Sequence, residues 1–384
     1  MCSSDLMWTR RAALRGIGAL GGLGTWGAAL AAPADGDWVV GQVGPFTGIP
    51  VPDAPQLGDG IKAAFGQINA RGGIGGRRVS FFQVDDTYTP DGFVKAFREA
   101  MGQRPAALLS PVGSASVKRL LDDKLLDQHD VVVINAIPGA EALRTPGHPR
   151  LFHVRAGDRA QIEKLLQNAA AVGISRLGVL YQPIPIGTSG LAMAQELAAA
   201  QKVTLQPVEA ANEPAAIQAG VARLAELQPQ GFLLLGAPRY MADAVVALRK
   251  AGMSRFVFAL GYLPAGLLND VAGDGARGVA MAQTYPNPSG VGGGLQREFQ
   301  AAMQAHAPQV KVYTSFHLEG YVSARVFAEA ARRTREPGAD ALARSLHAMG
   351  EVDLGGFRLD FSRGQVGSRF VDVGVMGASG KLVY

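Results

Sequence analysis

From Val39 onward the chain alternates short β-branched apolar runs with longer stretches whose apolar residues recur at helical spacing. Val39 to Val43 has the length and branching of a buried strand, and Gly44-Pro45 turns the chain after it. Ile61, Ala64, Phe65 and Ile68 then share one face of a helix that Gly72-Gly73 stops, and Val79 to Val84 reads as a second strand. A strand, a helix and a strand joined by a right-handed crossover make parallel neighbours. The C-terminal ends of such strands border a crevice that takes ligands.

The same rhythm continues. It predicts a helix over residues 92–103, a strand over 106–109, a helix opening at Gly113-Ser114-Ala115-Ser116 and a strand over 131–134. Four strand–helix repeats predict a doubly wound α/β domain with a mainly parallel sheet. The serines suit a helix N-terminus, whose exposed amides seat an anion or a carboxylate. Around Leu151 to Val154 the chain is expected to cross into a second unit of the same kind. That unit has strands over 177–181, 203–208, 231–235, 256–260 and 278–283, with helices over 158–172, 189–201, 214–227 and 240–252. A long helix over 315–333 and a short one over 337–349 follow. Residues 355–376 alternate apolar and polar positions around a glycine turn, which reads as an antiparallel pair added to the second unit.

Composition narrows the function classes. The 384 residues are 48% hydrophobic and 18% charged, enough for two cores and far from a disordered chain. The net charge is +5, and residues 1–34 carry Arg10, Arg11 and Arg15 against Asp5 alone. The remaining excess is small and scattered, so nucleic acid is not expected as a partner. Arg10-Arg11 precede an uncharged Gly/Ala/Leu run, Gly16 to Ala34, that ends in small residues and reads as an export signal, of the twin-arginine kind. Retained, the run would be a membrane anchor, although Gly and Ala supply little transfer energy. Cys2 precedes the run and is the sole cysteine, so the exported chain has no disulfide, no thiol nucleophile and no lipid-anchoring cysteine.

No catalytic constellation emerges. Gly16-Ile17-Gly18-Ala19-Leu20-Gly21 matches a dinucleotide fingerprint by letter but follows no strand. Gly72 to Gly76 follows a helix and precedes a strand, the reverse of a phosphate loop. The six histidines lack zinc-ligand spacing, Gly187-Thr188-Ser189-Gly190 lacks the spacing of a nucleophile elbow, and Asp85-Asp86 at a strand end reads as a turn cap. The expectation is no catalytic residue, no metal and no cofactor.

The turn Pro45-Phe46-Thr47-Gly48, the helix end from Ile68 to Gly76 and the Asp85-Asp86 pair resemble the periplasmic solute-binding proteins of the leucine/isoleucine/valine-binding family, the receptors of ATP-driven importers. Gly355-Gly356-Phe357 through Asp360, then Gly364, is similar to that family's closing hairpin. The resemblance implies a type I periplasmic binding fold of two Rossmann-like lobes joined by a multi-strand hinge. Residues 36–153 with 284–350 would form the N-terminal lobe, and 154–283 with 351–384 the C-terminal lobe. It further implies a periplasmic monomer that carries a small molecule to an inner-membrane ABC permease complex. A sensory receptor of the same fold and an exported α/β enzyme are the alternatives.

Carried over position by position, the family's ligand contacts fall on Phe46, Thr47, Gly113, Ser114, Ile137, Pro138 and Gly139 in the first lobe. In the second they fall on Ile186, Pro238 and the stretch ending at Tyr262. Amino-acid receptors of the family hold the α-carboxylate with small hydroxyl residues and the ammonium with an acidic residue and tyrosines. Here Ser114 is kept, the second hydroxyl position reads Gly139, the tyrosine positions read Ile186 and Pro238, and Ala259 to Tyr262 holds no carboxylate. A buried ammonium without a counter-charge costs several kcal/mol. The expected ligand is therefore an apolar or aromatic molecule with one carboxylate at Ser114, flanked by Phe46 and Tyr262, with Tyr240, Tyr285 or Arg239 as further anchors.

Overall fold

The computed structural model describes residues 36–47, 53–253, 255–334 and 338–384. The expected export signal, with Cys2, lies outside these residues.

The first half runs β1 (Trp38–Gly44), α1 (Asp53–Ala70), β2 (Val79–Asp85), α2 (Pro90–Met101), β3 (Ala107–Leu109), α3 (Ser114–Asp122), α4 (Leu125–Gln128), β4 (Val132–Ile134) and β5 (Leu151–Phe152). These strands form a parallel sheet of order β2-β1-β3-β4-β5. The second half repeats the scheme with α5 (Asp158–Ala171), β6 (Arg176–Tyr181), α6 (Pro185–Ala198), β7 (Thr204–Glu209), α7 (Pro214–Glu226), β8 (Gly231–Leu235), α8 (Pro238–Lys250), β9 (Phe256–Ala259), α9 (Ala265–Ala272) and β10 (Val279–Gln283). Its parallel strands lie in the order β7-β6-β8-β9-β10, the same topology as the first sheet. Helices α10 (Gly294–His306), α11 (Ser315–Arg333) and α12 (Ala339–Ala348) follow, then short strands β11 (Glu351–Asp353), β12 (Arg358–Asp360), β13 (Asp372–Met376) and β14 (Leu382–Val383). The expected two-lobed α/β fold is the observed one.

Two expectations change. Helices α6 and α8 begin several residues or one half-turn earlier than the apolar period suggests, each on a proline in its first turn, where a missing amide costs nothing. The ending is not a strand pair: β12 pairs with β11, whereas β13 pairs antiparallel with β10 and β14 at the edge of the second sheet. Alternation along 355–376 gave the strands correctly but not their partners, because the turn between them is a long connection running back to the first crossing. There His153 N donates to Gln365 O at 2.7 Å and Gly367 N to His153 O at 2.8 Å.

The chain passes between the sheets after β5, after β10 and after β12. Helix α11 is the element that ties distant sequence to the first sheet. A β-carbon built on Gly60 of α1 would overlap His317 O of α11, and one built on Gly320 would overlap Leu57 O. Two glycines therefore let the helix backbones touch. The face so formed is apolar: Ile61, Ala64, Phe65, Leu318, Tyr321 and Val322 are buried in one cluster with β1 and β3. Either glycine changed to alanine must force the helices apart. Gly320→Ala is expected to lower stability by about 1–3 kcal/mol, read as a lower midpoint in thermal unfolding.

Candidate ligand site

In a sheet ordered 2-1-3-4-5, the connections from the first and third strands leave in opposite directions, and a crevice opens at their C-terminal ends. Phe46 and Thr47 follow β1, and Gly113 and Ser114 follow β3, so four of the expected contacts stand at the switch point of the first sheet. Ile186 follows β6 and Pro238 follows β8, at the matching point of the second. Ile137, Pro138 and Gly139 follow β4, and Tyr262 follows β9.

Asp85 sets the Phe46 turn. Its carboxylate accepts from Phe46 N at 2.9 Å, Thr47 N at 3.2 Å, Thr87 N at 3.0 Å and the Thr47 hydroxyl. Burial acts to raise this carboxyl, but the Thr47 hydroxyl and the amides outweigh it and hold it below the ordinary range. Asp86 points inward, accepts from Tyr88 N at 2.8 Å and is pushed up to about 6, chiefly by burial. Both residues are turn caps, as their position at a strand end suggests.

Phe46, Ile137 and Tyr262 meet in one small apolar cluster. Its buried members are Ala54 and Leu57 of α1, Val112, Ile137 and Phe316 of α11, with Phe46, Tyr88 and Tyr262 packed against them. Gly139 lies beside it, and a β-carbon there would overlap both Asp158 and the Tyr262 hydroxyl. The hydroxyl-to-glycine departure thus has a steric reason: Tyr262 occupies the space. Gly113 has φ +98°, which favours glycine, and faces Ser116 and the Tyr88 ring. Pro138 offers its carbonyl to Arg144. Thr47 is exposed, and Ile186 and Pro238 are half-buried on the first turns of α6 and α8, outside the cluster.

Beneath the cluster lies a buried charge set. Arg155 is 1% exposed, places its guanidinium 4.8 Å over the Tyr262 ring and reaches Glu319 of α11 at 3.4 Å. Burial acts to lower Arg155, yet Glu319 and the groups around Tyr262 outweigh it and keep the guanidinium charged. Asn135 donates to Glu319 at 3.1 Å and to Ser323 at 2.9 Å. Tyr262 donates to Asp158, and Arg144 donates to Arg155 O at 2.9 Å. Burial and then Asp158 push the Tyr262 phenol up, so it stays a neutral donor. Arg155 and Glu319 form a buried ion pair, while Arg144 is held by backbone carbonyls and Asp158 by the Tyr262 hydroxyl. Asp53 stands apart. It accepts from Ala54 N at 3.1 Å, and burial first, then Glu319, push its carboxyl up to about 6 against the pull of Arg155.

A cleft of about 1050 Å³ runs outward from Phe46 and Phe316, between the Leu263–Leu267 stretch on one side and Lys311–Ser315 on the other. Among the described residues no group of His, Cys, Asp and Glu is arranged to hold a metal ion.

The model of the periplasmic binding protein family matches residues 37–371. The chain belongs to that family. An extracellular ligand-binding receptor from Verminephrobacter eiseniae is similar to this periplasmic binding protein, at 46% identity and TM-score 0.87, over 91% of this chain and 100% of that one. A substrate-binding periplasmic protein from Ralstonia solanacearum is 28% identical with TM-score 0.81, over 90% of this chain and 99% of that one. An ABC transporter solute-binding protein from R. palustris in complex with benzoate shares the fold at 16% identity and TM-score 0.74, over 91% and 95% of the two chains. Among curated proteins none matches.

Sequence reasoning missed Phe316, Asp53, Arg144, Arg155, Asp158 and Glu319. The signal for two of them was present: Arg155 closes the apolar run Leu151 to Val154, and Glu319 sits on the apolar face of a helix, where a charge is buried only with a partner.

Two measurements test this geometry. Gly139→Ala is expected to displace Tyr262 and cost about 1–3 kcal/mol in urea unfolding, whereas a neutral result would place Tyr262 elsewhere. For Asp53 the folded carboxyl, at about 6, binds its proton more tightly than an ordinary one at 3.8. Its ionisation therefore opposes folding: stability falls as pH rises from roughly 4 to 6, and the cost is complete above that. Asp53→Asn should exceed the parent by about 3 kcal/mol at pH 7.5 and match it near pH 3.5. A difference that does not change with pH would contradict the assignment.

Proposed function

We propose that this periplasmic binding protein takes up a small apolar or aromatic monocarboxylate in the cleft between its sheets and delivers it to the membrane permease of an ATP-driven importer. The observation that carries the reading is the pairing of an aromatic cluster, Phe46, Phe316 and Tyr262, with carboxylates that already have partners, Glu319 on Arg155 and Asp158 on Tyr262. Such a pocket stabilises a ring by burial and stacking and has little left to neutralise an ammonium. The ligand carboxylate sits on the first amides of α3 at Ser114, which no side chain caps. That a protein of this fold from R. palustris holds benzoate supports an aromatic acid as cargo.

The moving bodies are residues 36–153 with 284–361, since β11 and β12 pack in the first core and not with the second lobe as expected, and 154–283 with β13 and β14. Ligand bound by both lobes favours the closed arrangement over the open one by its differential contacts. A micromolar ligand supplies about 8 kcal/mol, enough to close a hinge whose empty closed state lies a few kcal/mol higher. Export to the periplasm through the N-terminal signal and action as a monomer complete the reading.

Asp53 favours a second reading, an amino acid whose ammonium sits on that carboxylate, since its hydrogen bond comes from a backbone amide and not from a cation. Calorimetry separates the two. Benzoate and phenylpropionate are expected to bind at micromolar Kd and leucine not at all, with Phe316→Ala weakening the aromatic acids tenfold or more. Tight leucine binding that is lost in Asp53→Asn would establish the second reading instead.

A further inference from the structure

We infer that the ligand carries an extended apolar chain, and that the cleft beyond Phe46 and Phe316 is the subsite for it. The inference rests on the proposed monocarboxylate site and names the part of the ligand that site leaves unspecified. Ligand pockets of about 300–1,000 Å³ suit drug-sized molecules, so a cleft of about 1050 Å³ is far larger than a ring bearing one carboxylate needs. Its inner end is shared with the aromatic cluster, because Phe46 and Phe316 belong to both. Both walls carry apolar side chains: Leu263, Ala265, Leu267 and Leu382 from the second sheet's surroundings, Val312 and Tyr313 from the segment before α11. Val312 is 62% exposed, a large apolar side chain that the rest of the protein leaves uncovered.

The protein's own hydrogen bonds hold these walls in place. Leu268 N donates to Pro264 O at 3.0 Å, which fixes the start of α9. On the other side Lys311 donates to Pro308 O at 2.7 Å, and Thr314 with His317 forms a reciprocal cap on α11. The charged groups of the lining, Lys311, Asp270 and Lys381, are exposed, while Gln283 is buried and Gln56, Gln300 and Thr314 are half-buried among the apolar residues. An apolar chain leaving the cluster therefore meets preformed apolar surface before it meets charge. The class of ligand is an arylalkyl or long-chain acyl carboxylate.

The test is calorimetry on the mature chain with benzoate and ω-phenylalkanoates of increasing length, together with straight-chain alkanoates. In the parent, each added methylene is expected to tighten binding about fourfold until the chain clears the walls. In Ala265→Trp, which fills the cleft, the dependence on length should flatten. Val312→Ser should halve it or more from the opposite wall, and thermal unfolding of both variants reports that they fold. If benzoate binds but affinity does not rise with length, the chain subsite is wrong and the head site stands. An unaltered dependence in Ala265→Trp overturns the placement of the chain. If no member of either series binds, both the head site and its extension fail.

Discussion

The contact between α1 and α11 through Gly60 and Gly320 is the constraint on which the site depends. Helix packing through ordinary side chains leaves axes 8–10 Å apart, and the two glycines bring backbone against backbone instead. That approach fixes α11 along its length. Phe316, one turn before Gly320, consequently reaches Ala54 and Leu57, and Glu319 reaches Arg155 and Asn135 beneath the cluster. Residues more than 250 positions apart thus share one wall of a pocket because neither helix has a side chain between them.

The charge set under the pocket follows from the same placement. A buried guanidinium costs several kcal/mol unless it is paired and hydrogen-bonded, and Arg155 finds Glu319, the Tyr262 face and the charged surroundings of Asp158. Asn135 serves as the junction, with φ +64°, a conformation asparagine tolerates better than most residues. Its side chain donates to Glu319 and Ser323 and accepts from Val154 N and Arg155 N. The end of β4, the crossing after β5 and the middle of α11 are therefore joined at one amide.

Much of this was legible in the chain. Alternating strands and helices gave both sheets, since periodicity and glycine turns are local properties, whereas Phe46, Gly113 and Tyr262 came from the family resemblance and stand after β1, β3 and β9. Pairing across long separations was not legible. The alternation over 355–376 looks like one hairpin, yet β12 and β13 join different partners, because the residues between them answer to His153 and not to each other. Phe316 escaped for the same reason: nothing near it in sequence says that Gly320 will press it against α1. Ile186 and Pro238, read as pocket positions from aligned loops, stand on helix first turns at the second switch point.

Tyr262 shows how the two halves meet. It packs against both cores of the second sheet and also against the cluster of Phe46, Ile137 and Phe316. Its hydroxyl is anchored by Asp158, which begins α5, while Asp158 N donates to Gly139 O at 2.9 Å. The ring is therefore a fixed feature of the second half projecting into a gap that Gly139 leaves open in the first. A hydroxyl-bearing side chain at 139 would have offered the ligand one more donor but would have excluded the tyrosine. The exchange puts an aromatic face where a hydroxyl-bearing side chain would otherwise stand.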